Sequence, residues 1–121
     1  MTYVDGFVLA VPKKNVAAYR KMAVAGGKIW RKHGALEFRE CVGDDLKAHA
    51  GMGVAFTKMA KAKAGETVFF SYVVYKSRAH RDKVNKAVMK DPKMNAIVKD
   101  MKMPFDVKRM AYGGFKVLVD A

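Results

Sequence analysis

The chain predicts an α+β fold in which an antiparallel sheet carries its helices on one face. Three observations lead there. Strand-like apolar runs, bounded by proline, glycine or charged turns, occur at residues 2–11, 35–42, 67–75 and 109–119. Two longer stretches, 13–33 and 78–90, repeat their apolar residues at helical spacing. The elements follow in the order β-α-β-β-α-β, with a short extra helix before the last strand. That order lays helices against one side of an antiparallel sheet.

The elements justify themselves in turn. Residues 2–11 alternate and stop at Pro12. On a wheel of about 100° per residue, Val16, Tyr19, Met22, Ala23, Ile29, Trp30 and His33 share one face of the first helix. Lys13, Lys14, Arg20, Lys21, Lys28, Arg31 and Lys32 occupy the opposite side, giving an amphipathic helix with a basic outer face. Gly26-Gly27 interrupts it at a propensity cost of about 1 kcal/mol per glycine, which implies a kink or a close backbone approach. Gly34 ends the helix, residues 35–42 form the second strand, and Gly43-Asp44-Asp45 turns. Residues 46–66 are the least patterned, and a further strand is expected near Gly53–Ala60. Residues 67–75, rich in Val, Phe and Tyr, are the clearest strand. Ser77 caps the helix 78–90, whose inner face carries His80, Val84, Ala87 and Val88 and whose outer face carries Arg78, Lys83, Lys86 and Lys90. Asp91-Pro92 starts a short helix to about Met101, and residues 109–119 close the sheet. The arrangement is ferredoxin-like.

The first strand places Tyr3, Phe7, Leu9 and Val11 on one side and Val4, Val8 and Ala10 on the other, and residues 68–75 are also apolar on both sides. A sheet covered by helices on one face alone alternates apolar with polar. The second apolar face therefore calls for a partner, and a homodimer packed sheet on sheet is the simplest one.

Composition bounds the rest. The 121 residues, 51% hydrophobic, fit a single domain spanning 1–121. No apolar run approaches the roughly 20 residues of a membrane span. No signal peptide is read at the N-terminus. Cys41 is the only cysteine, so no internal disulfide forms and a reducing cytoplasm is expected. The net charge of +13 admits anionic partners such as nucleic acid or acidic metabolites, or simply a well-solvated surface. The basic outer faces of the two helices would then join into one positive surface, the basis of a nucleic-acid-binding alternative. No binding motif accompanies that charge, and few aromatics interleave with the lysines.

Several segments match a known family: Tyr3-Val4-Asp5-Gly6-Phe7, Val11-Pro12, Tyr19-Arg20-Lys21-Met22-Ala23, His33-Gly34-Ala35-Leu36, Glu40-Cys41 and Asp44-Asp45. Arg78-Ala79-His80-Arg81-Asp82, Asn85, Met89, Asp91-Pro92 and Met103 to Phe115 continue the match. Across essentially its whole length the chain resembles the YbaA-like family, small bacterial proteins of unknown function in the dimeric α/β-barrel superfamily. Two features depart from the family: Val107 stands where its Pro-Phe-Asp-Gly-Lys-Arg-Met motif has glycine, and the strong basicity is not a family trait. The resemblance implies a dimeric α/β barrel but supplies no reaction. Superfamily members include small monooxygenases, haem-handling enzymes and ligand-binding modules, so any enzymatic role rests on fold analogy alone.

The leading site candidates are Asp106, Lys108, Arg109 and Tyr112 with Gly113 and Gly114. Lys108-Arg109 suits a carboxylate or phosphate clamp, Tyr112 a hydrogen-bond donor, and the glycine pair a close approach by ligand or backbone. The competing reading is a dimer-interface turn in which Asp106 pairs with a basic residue. Asp5, Arg39, Glu40 and Cys41 form a second group on strands expected to be apolar. Glu37, Arg39 and Cys41 share one side of the second strand. Buried charges need partners, so Arg39 with Asp5 or a glutamate makes either an internal ion pair or the lining of a polar cavity. Nothing local activates Cys41 as a nucleophile. His33 and His80 lie on inner helix faces, as hydrogen-bonded core residues or facing a cleft. The three histidines lack metal spacing. No phosphate loop, nucleotide fingerprint or catalytic triad signature appears, so neither metal nor cofactor is expected. The function these features predict is binding of a small anionic or aromatic ligand by a cytoplasmic homodimer.

Overall fold

The computed structural model describes residues 2–100 and 103–121. Four strands form one antiparallel sheet: β1 (Tyr3–Pro12), β2 (Glu37–Val42), β3 (Glu66–Tyr75) and β4 (Ala111–Lys116), in the order β2-β3-β1-β4. The helices are α1 (Val16–Lys32), a single turn α2 (Phe56–Met59), α3 (Arg78–Lys90) and α4 (Pro92–Asp100). This is the expected α+β, ferredoxin-like arrangement. The expected end of that helix, Met101, lies outside the described residues.

The register assigns the two faces. Tyr3 pairs with Tyr75, Leu9 with Phe69 and Asp5 with Val73, while Phe38 and Glu40 of β2 stand opposite Val73 and Ser71. Directly paired residues share a face, so this set points to the helices. Here Leu9, Val11, Tyr75, Val84 and Val88 are fully or almost fully buried. Each aliphatic side chain among them contributes about 1.5–3 kcal/mol of transfer free energy. The opposite set, Val4, Val8, Phe70, Tyr72 and Phe115, faces away from α1, α3 and α4. Phe70 is 47% and Phe115 62% exposed. The second apolar face is real: Phe56 of α2 packs edge-on against Phe70, with ring centroids 6.3 Å apart, and Ala10 and Val68 are buried, while Phe70 and Phe115 stay open.

Helix ends follow the sequence. The Ser77 hydroxyl accepts the His80 N–H at 3.1 Å, and Asp91 Oδ1 accepts the Lys93 N–H at 2.8 Å to cap α4. Gly34, at φ +112°, leaves α1 through a left-handed conformation. Gly27 answers the glycine pair: a Cβ there would lie 2.9 Å from Phe38 Cδ1. Close approach of α1 to β2 therefore accounts for that glycine.

Two expectations need correction. Residues 53–60 are not a strand. Ala55, Thr57 and Ala60 turn inward at the short spacing of one helical turn, while Met52 and Val54 stay 78% and 66% exposed. Alternating Val54 and Phe56 mimicked a period of two, but Thr-Lys-Met-Ala favours a turn of helix. The last strand is also shorter than 109–119. Val107–Arg109 is a 3-10 turn, and pairing ends near Val117, whose N–H donates to the Thr2 carbonyl at 3.1 Å. Asp106 drives that turn by accepting the Lys108 N–H at 3.0 Å.

Candidate functional site

Tyr19 sits on the inner face of α1, Glu40 at the middle of β2, and Ser71 opposite Glu40 on β3. Helical and strand periods therefore aim three polar groups at one point. Glu40 Oε1 accepts the Tyr19 hydroxyl at 2.7 Å and also the Ser71 hydroxyl. Tyr19 and Ser71 are buried and Glu40 is half-buried. Burial, and then the Glu40 charge, push Tyr19 ionisation far above the ordinary phenol value, so its hydroxyl remains a donor. Glu40 Oε2 accepts no protein hydrogen bond among the described residues.

Tyr19 and Glu40 line a cleft of about 680 Å³ between α1 and the β2–β3 edge, and Ser71 holds Glu40 from beneath. Val16, Ala23, Phe38 and Phe69 supply apolar walls, and Gly27 keeps the helix close to Phe38. Arg20, Lys28 and Arg31 contribute the basic rim. Arg31 is occupied with the carbonyls of Ala35, at 3.0 Å, and Leu36. Arg20 and Lys28 make no ion pair among the described residues. A smaller cavity of about 150 Å³ lies behind, sharing Ala23, Phe38 and Glu40 and lined further by Met22, Trp30 and Met94. The arrangement can seat an apolar body, accept a ligand proton or hydrogen bond at Glu40, and hold an anion at the mouth.

The residues singled out in the sequence do not converge on one point. Arg109 clamps Glu66 with two bonds of 2.9 and 2.6 Å, and also reaches Asp106 Oδ2 at 3.4 Å and the Lys61 carbonyl at 3.2 Å. Its fork ties the 3-10 turn to the start of β3. The Arg109 bonds, together with the Lys63 N–H at 2.7 Å, lower the Glu66 carboxyl from 4.5 to about 2. Lys108 is exposed, and Tyr112, 74% exposed, stacks on Phe7 with ring centroids 6.2 Å apart. Gly113 pairs with Gly6 on the open face, whereas Gly114 pairs with Asp5 on the helix side. A Cβ at Gly114 would overlap the Tyr3 hydroxyl and come within 2.6 Å of Arg81 Nη2.

Asp5 is buried, and its partner is Arg81 of α3, at 3.4 Å, not Arg39. Arg81 also donates to the Tyr3 hydroxyl at 3.1 Å. Arg39 meets a glutamate, Glu37, at 3.9 Å, but on the open face with both side chains about half exposed. Cys41 is exposed on that face too. Of the second group, only Glu40 enters the cleft. His33 Nε2 bonds Asp91 Oδ2 at 2.6 Å, which with the Lys93 N–H holds Asp91 below the usual carboxylate range. His80 Nδ1 accepts the Lys76 N–H at 2.9 Å. Both histidines thus secure chain turns. Among the described residues no three of His, Cys, Asp and Glu gather closely enough to hold a metal ion, and no helix is long and apolar enough to cross a membrane.

Comparison with known proteins places the chain. Residues 2–107 match the model of a family of proteins of unknown function, DUF1428. The chain is 42% identical over 120 residues to the uncharacterized protein YbaA of Escherichia coli strain K12, covering 99% of each. The chain belongs to this family. Among solved structures it is similar to protein Atu4242 of Agrobacterium tumefaciens, at TM-score 0.57 and 14% identity over 96% of this chain and 92% of that one. It is also similar to Rv0793 of Mycobacterium tuberculosis, at TM-score 0.54 and 16% identity over 100% and 99% of the two chains. At such identities the likeness shows the fold alone. Tyr19, Glu40 and Ser71 fall inside the family match, whereas Tyr112, Gly113 and Gly114 lie beyond its last matched residue.

Proposed function

We propose that this protein is a cytoplasmic homodimer that binds a small aromatic or otherwise apolar anion in the cleft between α1 and β2. The observation that carries the reading is the carboxylate of Glu40, held by two hydroxyls on one oxygen within an apolar cleft of about 680 Å³. Setting a carboxylate there is unfavourable unless it is paired, and hydrophobic residues would close the layer more cheaply. The volume falls in the range of about 300–1,000 Å³ usual for small-molecule sites. Arg20 and Lys28 at the mouth suit a carboxylate, and the free Glu40 oxygen suits a hydroxyl or amine at the far end of the ligand. Should the bound molecule react, Glu40 is the proton acceptor in reach, and Tyr19, whose one hydroxyl proton goes to Glu40, holds that carboxylate in place.

The dimer is supported by the open sheet face. Val4, Val8, Phe70, Tyr72 and Phe115 frame an apolar depression of about 580 Å³ there. Leu118 and Val119, 87% and 78% exposed, extend the apolar surface beyond β4. Light scattering should return twice the chain mass. A second reading, nonspecific nucleic-acid binding, is favoured only by the basic residues on the outer sides of α1 and α3, and predicts affinity falling steeply with salt.

The test is a fluorescence titration with anilinonaphthalene sulfonate, an aromatic anion, on the protein and on Val42→Trp. Val42 lines the cleft at 53% exposure, so the larger ring should fill the cleft without disturbing the core. The reading expects dye affinity to fall about tenfold or more, equivalent to about 1.4 kcal/mol, with the dimer retained. Unchanged affinity in that variant would move dye binding off the cleft and sink the proposal.

A further inference from the structure

Away from the cleft, α1 and α4 enclose a second groove of about 430 Å³ on the helix side of the molecule. Its floor is apolar: Ala25, Ile29, Ala96 and Ile97. Ile29 is buried and Ile97 packs on the core cluster around Tyr75. Its walls are four lysines, Lys21, Lys28 and Lys32 from α1 and Lys93 from α4. Lys32 lies 3.7 Å from Asp91. Lys21, Lys28 and Lys93 have no ion-pair partner among the described residues.

Four like charges around one small depression repel one another, and among the described residues only Lys32 has an acidic partner, Asp91. The same charges scattered over the exposed helix faces would serve solubility equally well. Here they rim an apolar floor, and that pairing selects among anions. Nucleic acid offers phosphates but little to fill an aliphatic floor, and no aromatic ring stands in the groove for a base to stack on. An acidic amphipathic helix satisfies both parts. Its apolar stripe would enter the furrow between α1 and α4 as ridges enter grooves, and glutamates flanking the stripe would meet the lysines.

We propose that the α1–α4 groove is a docking site for an acidic amphipathic helix of a partner protein. The site is independent of the cleft, although Val24 and Lys28 border both.

The probe is a labelled peptide of about 15 residues, long enough for helix formation, made of Leu, Ala and Glu with the leucines on one helical stripe. A second peptide of the same composition has the stripe scrambled. Binding is followed by fluorescence anisotropy to the whole protein, to Lys21→Glu/Lys93→Glu, and to Ala96→Glu. Ala96 is exposed, so the last change should block the floor without unfolding α4, which circular dichroism checks. The striped peptide should bind at least about tenfold more tightly than the scrambled one, a difference of about 1.4 kcal/mol. Both variants should lose about that factor. Equal binding of the two peptides, or none by the striped one, would overturn the proposal. So would tighter binding of duplex DNA or phosphatidylserine vesicles that responds to the lysine reversals but not to Ala96→Glu.

Discussion

Glu40 and Gly27 show how single residues set the cleft. Glu40 gives one oxygen to Tyr19 and Ser71 and leaves the other to the cavity. Gly27 removes the side chain that would push α1 off Phe38. A Cβ added at its neighbour Gly26 would meet no atom within 4 Å. The two glycines therefore respond differently to alanine. Gly26→Ala should stabilise the protein by about 1 kcal/mol through helix propensity. Gly27→Ala should lose most or all of that gain because its methyl meets the Phe38 ring. Urea unfolding of both variants checks the contrast, and equal stabilisation would mean that Gly27 does not hold the cleft narrow. The sequence marked Glu40 because a charge interrupts an apolar strand. It left Tyr19 and Ser71 unmarked, since a tyrosine on an inner helix face and a serine in a strand are ordinary core residues until register sets them against a carboxylate.

Between elements, polar clamps do what the apolar core does not. Arg109 fastens the turn before β4 to Glu66 at the start of β3, and His33 fastens the end of α1 to Asp91 at the start of α4. The Arg109 bonds, with a smaller share from the Lys63 N–H, lower the Glu66 carboxyl from 4.5 to about 2 in the folded protein. Folding thus favours the ionised form, and the clamp's contribution is fully present above pH 4.5 and lost as pH falls toward 2. Glu66→Gln should be less stable than the parent at neutral pH, and the gap should close as the pH falls through that window. Denaturant midpoints across pH give the measurement, and a gap independent of pH would deny Glu66 its charged partner. The basic, glycine-rich entry to β4 looked like a site in the sequence for the same reason that it makes a clamp. Charges gather there, and only the distant Glu66 reveals where Arg109 is directed. Residues 53–60 misled differently, because alternation over a few residues is short enough for a helical turn to imitate.

At the scale of the molecule, the order of elements and the two-sided apolar strands were legible because they rest on periods of two and of 3.6 residues. The cleft was not, because it arises where α1 crosses the β2–β3 edge, and a crossing is set by packing between residues far apart in the chain. The open face of the sheet lies apart from the cleft and the lysine groove, which adjoin each other at Val24 and Lys28. The most direct measurement of the central claim is a map of backbone amide shifts by heteronuclear NMR as para-hydroxybenzoate is added. This ligand carries a carboxylate for the basic rim and a hydroxyl for Glu40. The account predicts shifts concentrated around Tyr19, Ala23 and Gly27 of α1, Phe38 and Glu40 of β2, and Ser71 of β3. Shifts concentrated instead at residues 106–114 or on the open face around Phe70 and Phe115 would contradict it.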